Sequence, residues 1–343
     1  MMILVTGGAG YIGSHTVRAL QEQGFDVVVL DNLVYGHHDI ITTLNVPFVE
    51  GDVGDRNLLK SILRGEHPAT AGSPVQAVLH FAAFAYVGES VANPLRYYSN
   101  NVVQSLHLLE AMVAEGRRRA KPIPLVFSST CATYGIPESD QIPIEESCPQ
   151  FPINPYGRSK LMVEQFIADF ASAHDLPAVV FRYFNAAGAH PDGDLGEHHD
   201  PETHLIPLVL DTMAGHRPYL QIYGDDYPTP DGTCIRDYIH VCDLAIAHVL
   251  GLQRILSVGQ GYEVYNLGNG LGYSVQEVIS CAKAVTQCGL LAHVAPRRSG
   301  DPAVLVASAA KAMRELGWVP QFTDLHTMIA HAWTWHMQRF VTR

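Results

Sequence analysis

Of the 15 tyrosines in this chain, only Tyr156 has a lysine four residues later, Lys160, in the segment INPYGRSKLMVEQFIADF. Asn154 fits a helix N-cap and Pro155 the first helical position. A helix starting there puts Tyr156 and Lys160 on one face, a turn apart, with Val163, Ile167 and Phe170 extending the apolar side. That pair could move a proton. A free tyrosine titrates near ~10, and bringing it toward ~7 takes about 4 kcal/mol in favour of the phenolate. A nearby ammonium, helped by any further cation, supplies this by charge proximity and makes the phenolate a general base. Tyr-x-x-x-Lys is common by chance, so its meaning depends on the elements around it.

A hydroxyl cluster, Ser128-Ser129-Thr130, closes the apolar run Leu125–Ser129. Side chains alternate along a strand, so Ser128 and Thr130 share one face and Ser129 takes the other. A hydroxyl beside a base can hydrogen-bond a developing carbonyl oxygen. The competing reading is an ordinary strand-end turn.

Gly7, Gly10 and Gly13 follow the apolar run Met2–Thr6 in MILVTGGAGYIGSHTVRAL and open a helix. Glycines there let the backbone approach a pyrophosphate, and the helix N-terminus offers free N–H groups and a positive dipole end. The second strand, FDVVVLD, ends in Asp31, 18 residues after Gly13. A carboxylate at that position accepts from ribose hydroxyls and repels a 2′-phosphate. No Arg or Lys occurs from Asn32 to Asp39, so NAD is expected rather than NADP. Asp52, after the third strand, could reach the adenine, although Gly51-Asp52 also reads as a turn.

Apolar, β-rich runs at Met2–Thr6, Asp26–Asp31, Pro47–Glu50, Ala77–Ala82, Leu125–Ser129 and Ala178–Tyr183 must position these residues. Several are apolar almost throughout, as parallel strands covered on both faces require. Helical stretches at Gly13–Gln23, Arg56–Leu63, Leu95–Glu115 and Pro155–His174 separate them. The alternation predicts an α/β fold: a doubly wound parallel sheet over residues 1–185 that binds the dinucleotide. After Asn185 the chain turns loop-like in AAGAHPDGDLGEHHDPETH. Short strands (Leu220–Tyr223, Val264–Leu267) and helices near Ile206–Ala214, Leu244–Leu256, Val275–Thr286 and Asp324–Trp335 follow. They predict a second, smaller mixed α/β domain over 186–343, with the chain returning to the first sheet around 236–268.

Bulk properties narrow the function class. The chain has 343 residues, 47% of them hydrophobic, and a formal net charge of -12. It carries no basic footprint for nucleic acid. Six cysteines without a Cys-x-x-Cys pair read as reduced thiols of a cytoplasmic protein. Neither a basic leader with a cleavable apolar stretch nor a run of 18 apolar residues is read, so no membrane span is expected. His198, His199, Asp200, Glu202 and His204 could ligate metal, but their spacing fits no closed zinc pattern. A polar loop near the substrate is the better explanation and no metal is expected.

TGGAGYIG, SSTCATYG, PYGRSK, RYFNAAGAHPDG, DGTCIRDYIHV and PRRSGDP resemble, in order and over nearly the whole chain, the UDP-glucose 4-epimerases of the extended short-chain dehydrogenase/reductase group. The resemblance implies that Tyr156 takes the 4-hydroxyl proton while hydride passes to tightly bound NAD. The 4-keto sugar then turns about its diphosphate and takes hydride back on its other face. Thr130 would assist and Lys160 would tune the tyrosine and hold the cofactor ribose. Tyr11, Ile12, Asn32, Val53, Phe81, Ala82, Ala83, Asn100 and Tyr183 would join the glycines, Asp31, Tyr156 and Lys160 around NAD. Asn185, His204, Leu205, Tyr223, Arg236, Arg298, Asp301 and Leu305 would line the UDP-sugar site, with Thr130 and Tyr156 at the sugar. The arginines suit a diphosphate; alone they read as surface ion pairs and Tyr223 as a core aromatic.

The chain departs from better-known members in places. Thr130 replaces a common serine, Ala85 a lysine found in some members, and His204 an asparagine. Leu305 occupies a position where bulk is associated with exclusion of N-acetylated sugars, so UDP-N-acetylhexosamines and UDP-pentoses stay open as substrates. A 4,6-dehydratase on the same scaffold would carry Asp-Glu after Thr130; Cys131 and Ala132 stand there instead. A non-catalytic NAD sensor would not need Tyr156, Lys160 and Thr130 together. Relatives also pair the helices corresponding to Leu95–Glu115 and Pro155–His174 across a two-fold axis, which implies a homodimer with Met162 and Phe166 at the contact. Burial inside the monomer is an equal reading of those two residues.

Overall fold

The computed structural model describes residues 1–298 and 301–341, with Ser299 and Gly300 of the PRRSGDP segment outside. Strands β1 (Met2–Thr6), β2 (Asp26–Asp31), β3 (Phe48–Glu50), β4 (Ala77–His80), β5 (Leu125–Ser128) and β6 (Ala178–Tyr183) match the expected runs, the largest difference being the end of β4 at His80 instead of Ala82. The short β7 (Asn185–Ala187), β8 (Leu220–Tyr223) and β9 (Ile235–His240) follow. Then come β10 (Tyr262–Leu267), β11 (Gly272–Ser274), β12 (Ala292–Ala295) and β13 (Val304–Leu305). The main sheet runs β3-β2-β1-β4-β5-β6-β10, and every pairing in it is parallel. It is a Rossmann-type doubly wound sheet. Strand order reverses between β1 and β4, which opens a crevice at their carboxyl ends.

Helices cover both faces, as strands apolar on both sides demand. In chain order they are α1 (Tyr11–Glu22), α2 (His38–Leu44), α3 (Arg56–Arg64), α4 (Val87–Ala92), α5 (Pro94–Tyr97), α6 (Ser105–Arg119) and α7 (Pro155–His174). After them come α8 (Leu205–Met213), α9 (Val241–Val258), α10 (Val275–Thr286), α11 (Ala310–Leu316) and α12 (Leu325–His336). One core layer joins Ile3, Val5 and Val29 of the sheet to Val17 and Leu20 of α1 and Leu244 and Leu252 of α9. The opposite layer joins Leu4, Val28 and Phe127 to Ile62 of α3, Leu109 of α6 and Ile167 of α7. The 18-residue α9 is long and apolar enough to cross a membrane by length and composition, yet 56% of it is buried, between α1 and the sheet. A third cluster packs α8, α10 and α12 around Leu220 and Ile222 of β8.

Two departures from the sequence reading bear on the site. The helix expected over Leu95–Glu115 is α5, then a wide π-type turn at Tyr98–Gln104, then α6. The turn buries Asn101, which accepts from Phe84 N and donates to Phe84 O and Ser159 Oγ, and it leaves Asn100 facing the crevice. Insertions of this kind re-aim side chains at functional sites. Strand β9 carries no clear strand signal in the sequence, because Arg236 and Asp237 interrupt its apolar pattern. Buried Asp237 accepts from the backbone of Asn269, Gly270 and Ala307, partners that only the folded chain supplies.

Candidate active site

The glycine loop is tight for steric reasons. Gly7 has φ +75°, and a Cβ on it would lie 2.5 Å from Ala82 N; one on Gly13 would lie 2.2 Å from the Gly7 carbonyl. Gly10 meets only Gly7 O, at 3.4 Å. No side chain caps α1, so its first-turn amides remain available to an anion. At the end of β2 the buried Asp31 carboxylate accepts from Ala9 N and Leu33 N at 3.0 and 2.9 Å. Burial still pushes its pKa up, against those two bonds. The cradle, the uncapped helix and the carboxylate fit a dinucleotide with free ribose hydroxyls.

A cavity of about 1390 Å³ runs from this cradle. That exceeds the usual range of single-ligand pockets, about 300–1,000 Å³, and suits two ligands end to end. Gly7, Gly10, Tyr11, Ile12, Gly13, Asp31, Asn32, Val53, Phe81, Ala82, Ala83, Asn100 and Tyr183 line one part of it. Asp52 is not among the lining residues: it is exposed and accepts from Asn32 Nδ2 at 2.7 Å.

Tyr156, Lys160 and Thr130 line the same cavity, with the Thr130 hydroxyl against the Tyr156 phenol. Asn154 caps α7 by accepting from Gly157 N at 2.8 Å, with Pro155 in the first turn. A Cβ on Gly157 would come within 2.5 Å of the Ala132 carbonyl, so glycine there lets α7 close on the turn after β5. Thr130 opens that turn, its Oγ1 accepting from Ala132 N. Lys160 Nζ donates to the Ser128 carbonyl at 2.8 Å and lies 4.8 Å from the Phe127 ring centroid. Burial pulls the Lys160 ammonium down to about 7, against the pull of Glu164. Burial also holds the Tyr156 phenol far above 10; Tyr183 adds to this and the Thr130 hydroxyl opposes it. Without a further cation the direction is the reverse of what a phenolate base needs, because a dry wall strips its hydration.

The alternation read for the hydroxyl cluster has chemical consequences. Ser128 Oγ donates to Tyr183 Oη on the cavity side, while Ser129 Oγ donates to Glu164 on the other. Glu164 also holds Arg182, whose Nη2 lies 2.6 Å from Oε2, and both side chains are buried. Tyr134 and Gln150 complete the network. Sequence reasoning missed this ion pair beneath the cavity. Its one signal was a glutamate one turn after Lys160, beside the apolar Val163 and Ile167.

At the far end the cavity is lined by Asn185, His204, Leu205, Tyr223, Arg236, Arg298, Asp301 and Leu305. Asn185 donates to the Asp237 carbonyl at 2.9 Å. Arg236 pairs with Asp301. The Arg298 guanidinium lies 4.1 Å from the Tyr223 ring centroid. Leu305 of β13 is the register partner of Arg236 on β9, so the small strand sets an apolar residue beside a cation. Ala85 lies on the cavity wall and is exposed.

The loop before α8, expected from sequence as a polar loop near the substrate, lines the cavity and adds Glu197, Pro201 and Thr203 to it. His199 and His204 line it with them. Loss of hydration would lower both histidines, although the His204 side chain keeps 46% of its surface exposed, but the Glu197 and Glu202 carboxylates outweigh it and push them to about 9 and about 10. His198 turns away and stacks on His37 at 4.0 Å.

Comparison with known proteins places this arrangement. Residues 3–268 match the family described as "NAD dependent epimerase/dehydratase family". The chain is 51% identical to a UDP-glucose 4-epimerase of Halalkalibacterium halodurans over 338 residues, 98% of this chain and 96% of that protein. Among solved structures it is similar to a UDP-glucose 4-epimerase from Brucella ovis in complex with NAD (TM-score 0.88, 47% identity, 97% of each chain). It is also similar to one from Bifidobacterium longum in complex with NAD+ and UDP (TM-score 0.89, 38% identity, 99% of each chain).

Proposed function

Because the chain belongs to the NAD dependent epimerase/dehydratase family, we propose that it interconverts UDP-glucose and UDP-galactose at C4, using NAD. The observation that carries this reading is that Tyr156, Thr130 and Lys160 line one cavity together with a dinucleotide cradle and the cations Arg236 and Arg298. Residues 1–185 chiefly hold the cofactor and residues 186–343 chiefly hold the UDP-sugar.

Gly7, Gly10, Gly13 and the α1 N-terminus would hold the pyrophosphate of NAD, and Asp31 and Lys160 would hold its ribose hydroxyls. When bound, NAD supplies a reversible hydride acceptor for the hydrogen on C4 and, oxidised, a fixed positive charge in the cavity. Tyr156 removes the proton of the 4-hydroxyl as C4 becomes a carbonyl, and returns it in the second half-reaction. Thr130 donates a hydrogen bond to the same oxygen, and Lys160 favours the phenolate when charged. Arg236 and Arg298 neutralise the diphosphate, and Tyr223 and Asp301 hold the uridine. Firm anchoring of UDP with few contacts to the hexose leaves the 4-keto sugar free to turn about its diphosphate. Cys131 and Ala132, which follow Thr130, carry no acid–base pair for elimination, so dehydration is not supported. Supplying the purified protein with UDP-galactose tests the reading: UDP-glucose should appear until equilibrium, and no turnover would refute it.

The chain works in the cytoplasm as a homodimer. Support for the dimer comes from Val91, Leu95, Val103 and Met162, large apolar side chains left exposed along α4, α5, the π turn and α7. Phe166 is only half-buried against the core beside them. Sedimentation equilibrium should give twice the chain mass.

A further inference from the structure

Four side chains of the loop before α8 converge from within eight residues of sequence. Glu197, His199, Glu202 and His204 each bring one ligand atom to a point, all four atoms within 4.8 Å of one another. Three of the four separations between histidine and carboxylate are close to those of a tetrahedral metal site, and the fourth is shorter. His199 Nδ1 lies 3.3 Å from Glu197 Oε1 and 3.5 Å from Glu202 Oε2. His204 Nδ1 lies 2.7 and 3.3 Å from Glu197 Oε1 and Glu202 Oε1. Tetrahedral zinc with bonds of about 2.0–2.1 Å requires ligand atoms roughly 3.3 Å apart.

The alternative is a plain ion-pair cluster, and one atom argues against it. His199 Nδ1 is buried and makes no hydrogen bond of acceptable geometry, although two carboxylate oxygens stand within 3.5 Å. A hydrogen bond aims a donor at an acceptor; metal ligands aim at a point between them. Glu202 is also fixed in place. Its Oε1 accepts from Thr203 N and His204 N at 2.6 and 2.7 Å, as carboxylate ligands are commonly supported. Two imidazoles and two carboxylates balance a dication, and nitrogen and oxygen donors in this number suit zinc.

We propose that Glu197, His199, Glu202 and His204 form a four-coordinate site for a zinc-class divalent cation. The site pins the wall of the cavity. His199 packs edge-on to Tyr11 of the glycine-loop helix and to Tyr86, with ring centroids 6.5 and 5.9 Å away. His204 leads directly into α8, whose first residue Leu205 lines the far end. A cation here ties the cofactor side of the wall to the substrate side without touching the reacting atoms.

The test needs no substrate, so its outcome is independent of the epimerase reading. The full-length protein is treated with chelator, dialysed, loaded with zinc and passed over a sizing column. Metal content is expected at one zinc per chain, and cobalt in its place should give the intense visible absorption of a tetrahedral ion. His199→Ala and Glu202→Gln should each weaken zinc by more than about 100-fold, beyond the ~10–100-fold typical of altering a supporting residue. Asp211→Asn, in the separate group Asp211, His216 and His336, should leave zinc binding unchanged. Absence of retained zinc in the unaltered protein, weak octahedral-type cobalt absorption, or zinc retained at full affinity by His199→Ala or Glu202→Gln would overturn the site. The cobalt spectrum is read on the unaltered chain, so it decides even if both variants misfold.

Discussion

Lys160 Nζ donates to the Ser128 carbonyl at 2.8 Å, which ties the helix that carries Tyr156 to the strand that delivers Thr130. The bond fixes the distance between base and hydroxyl through the backbone, before any ligand arrives. It also buries an ammonium that the sequence would place on a helix face, and that burial has a measurable consequence.

Lys160 should make stability depend on pH. Its pKa falls from 10.5 to about 7 on burial, so between those values the unfolded chain binds a proton that the folded chain does not. Unfolding free energy from this group therefore rises with pH across that window, by up to ~1.4 kcal/mol per unit. Below pH 7 the full penalty is present. Urea titrations of the wild type and Lys160→Met at pH 7, 8 and 9 should show the wild type gaining relative to the variant. Parallel curves would show that Lys160 titrates normally.

Tyr156→Phe should fold and retain NAD but lose epimerisation by roughly 10²–10⁴-fold, the range for removing a positioned general base. Cofactor absorbance and turnover of UDP-galactose, measured on the same sample, check both halves. Activity within a few-fold of wild type would exclude Tyr156 as the base.

Glu164→Gln should destabilise the protein by about 3–5 kcal/mol, because Arg182 would stay buried without its counter-charge. Replacing both, as Glu164→Leu with Arg182→Met, should restore much of the loss. Denaturant midpoints measure this, and a midpoint unmoved in Glu164→Gln would show that the pair carries little.

Arg236→Ala should weaken inhibition by free UDP roughly 10- to 100-fold, the worth of a charge-assisted bond of about 1.5–3 kcal/mol. KM for UDP-glucose should rise with it while kcat changes less. An unchanged UDP inhibition constant would remove Arg236 from the diphosphate.

Leu305→Tyr should lower kcat/KM for UDP-N-acetylglucosamine relative to UDP-glucose, since Leu305 lines the cavity beside Arg236. The ratio of the two constants, before and after substitution, is the readout. A ratio that stays constant would place the sugar's N-acetyl pocket elsewhere.

The sequence by itself determined what depends on neighbours a few residues apart. The Gly7–Gly13 turn, the Asn154–Pro155 helix start, the one-turn spacing of Tyr156 and Lys160, and the alternation of Ser128, Ser129 and Thr130 are all local, and the apolar strand runs required a sheet covered on both faces. Only the tertiary structure decided what meets across long separations. The order of strands in the main sheet and in the small mixed sheet brings Asp31, Thr130, Tyr156 and Arg236 around one cavity, and the packing of the folded chain buries Glu164 against Arg182 and pairs Arg236 with Asp301. It also leaves Asp52 at the surface, and it draws in Glu197 in place of His198 and Asp200 beside His199 and His204. The physical reason is that periodicity and capping act over a turn or a pleat. The partner of a buried charge is chosen by which strands lie side by side, and no local pattern records that choice.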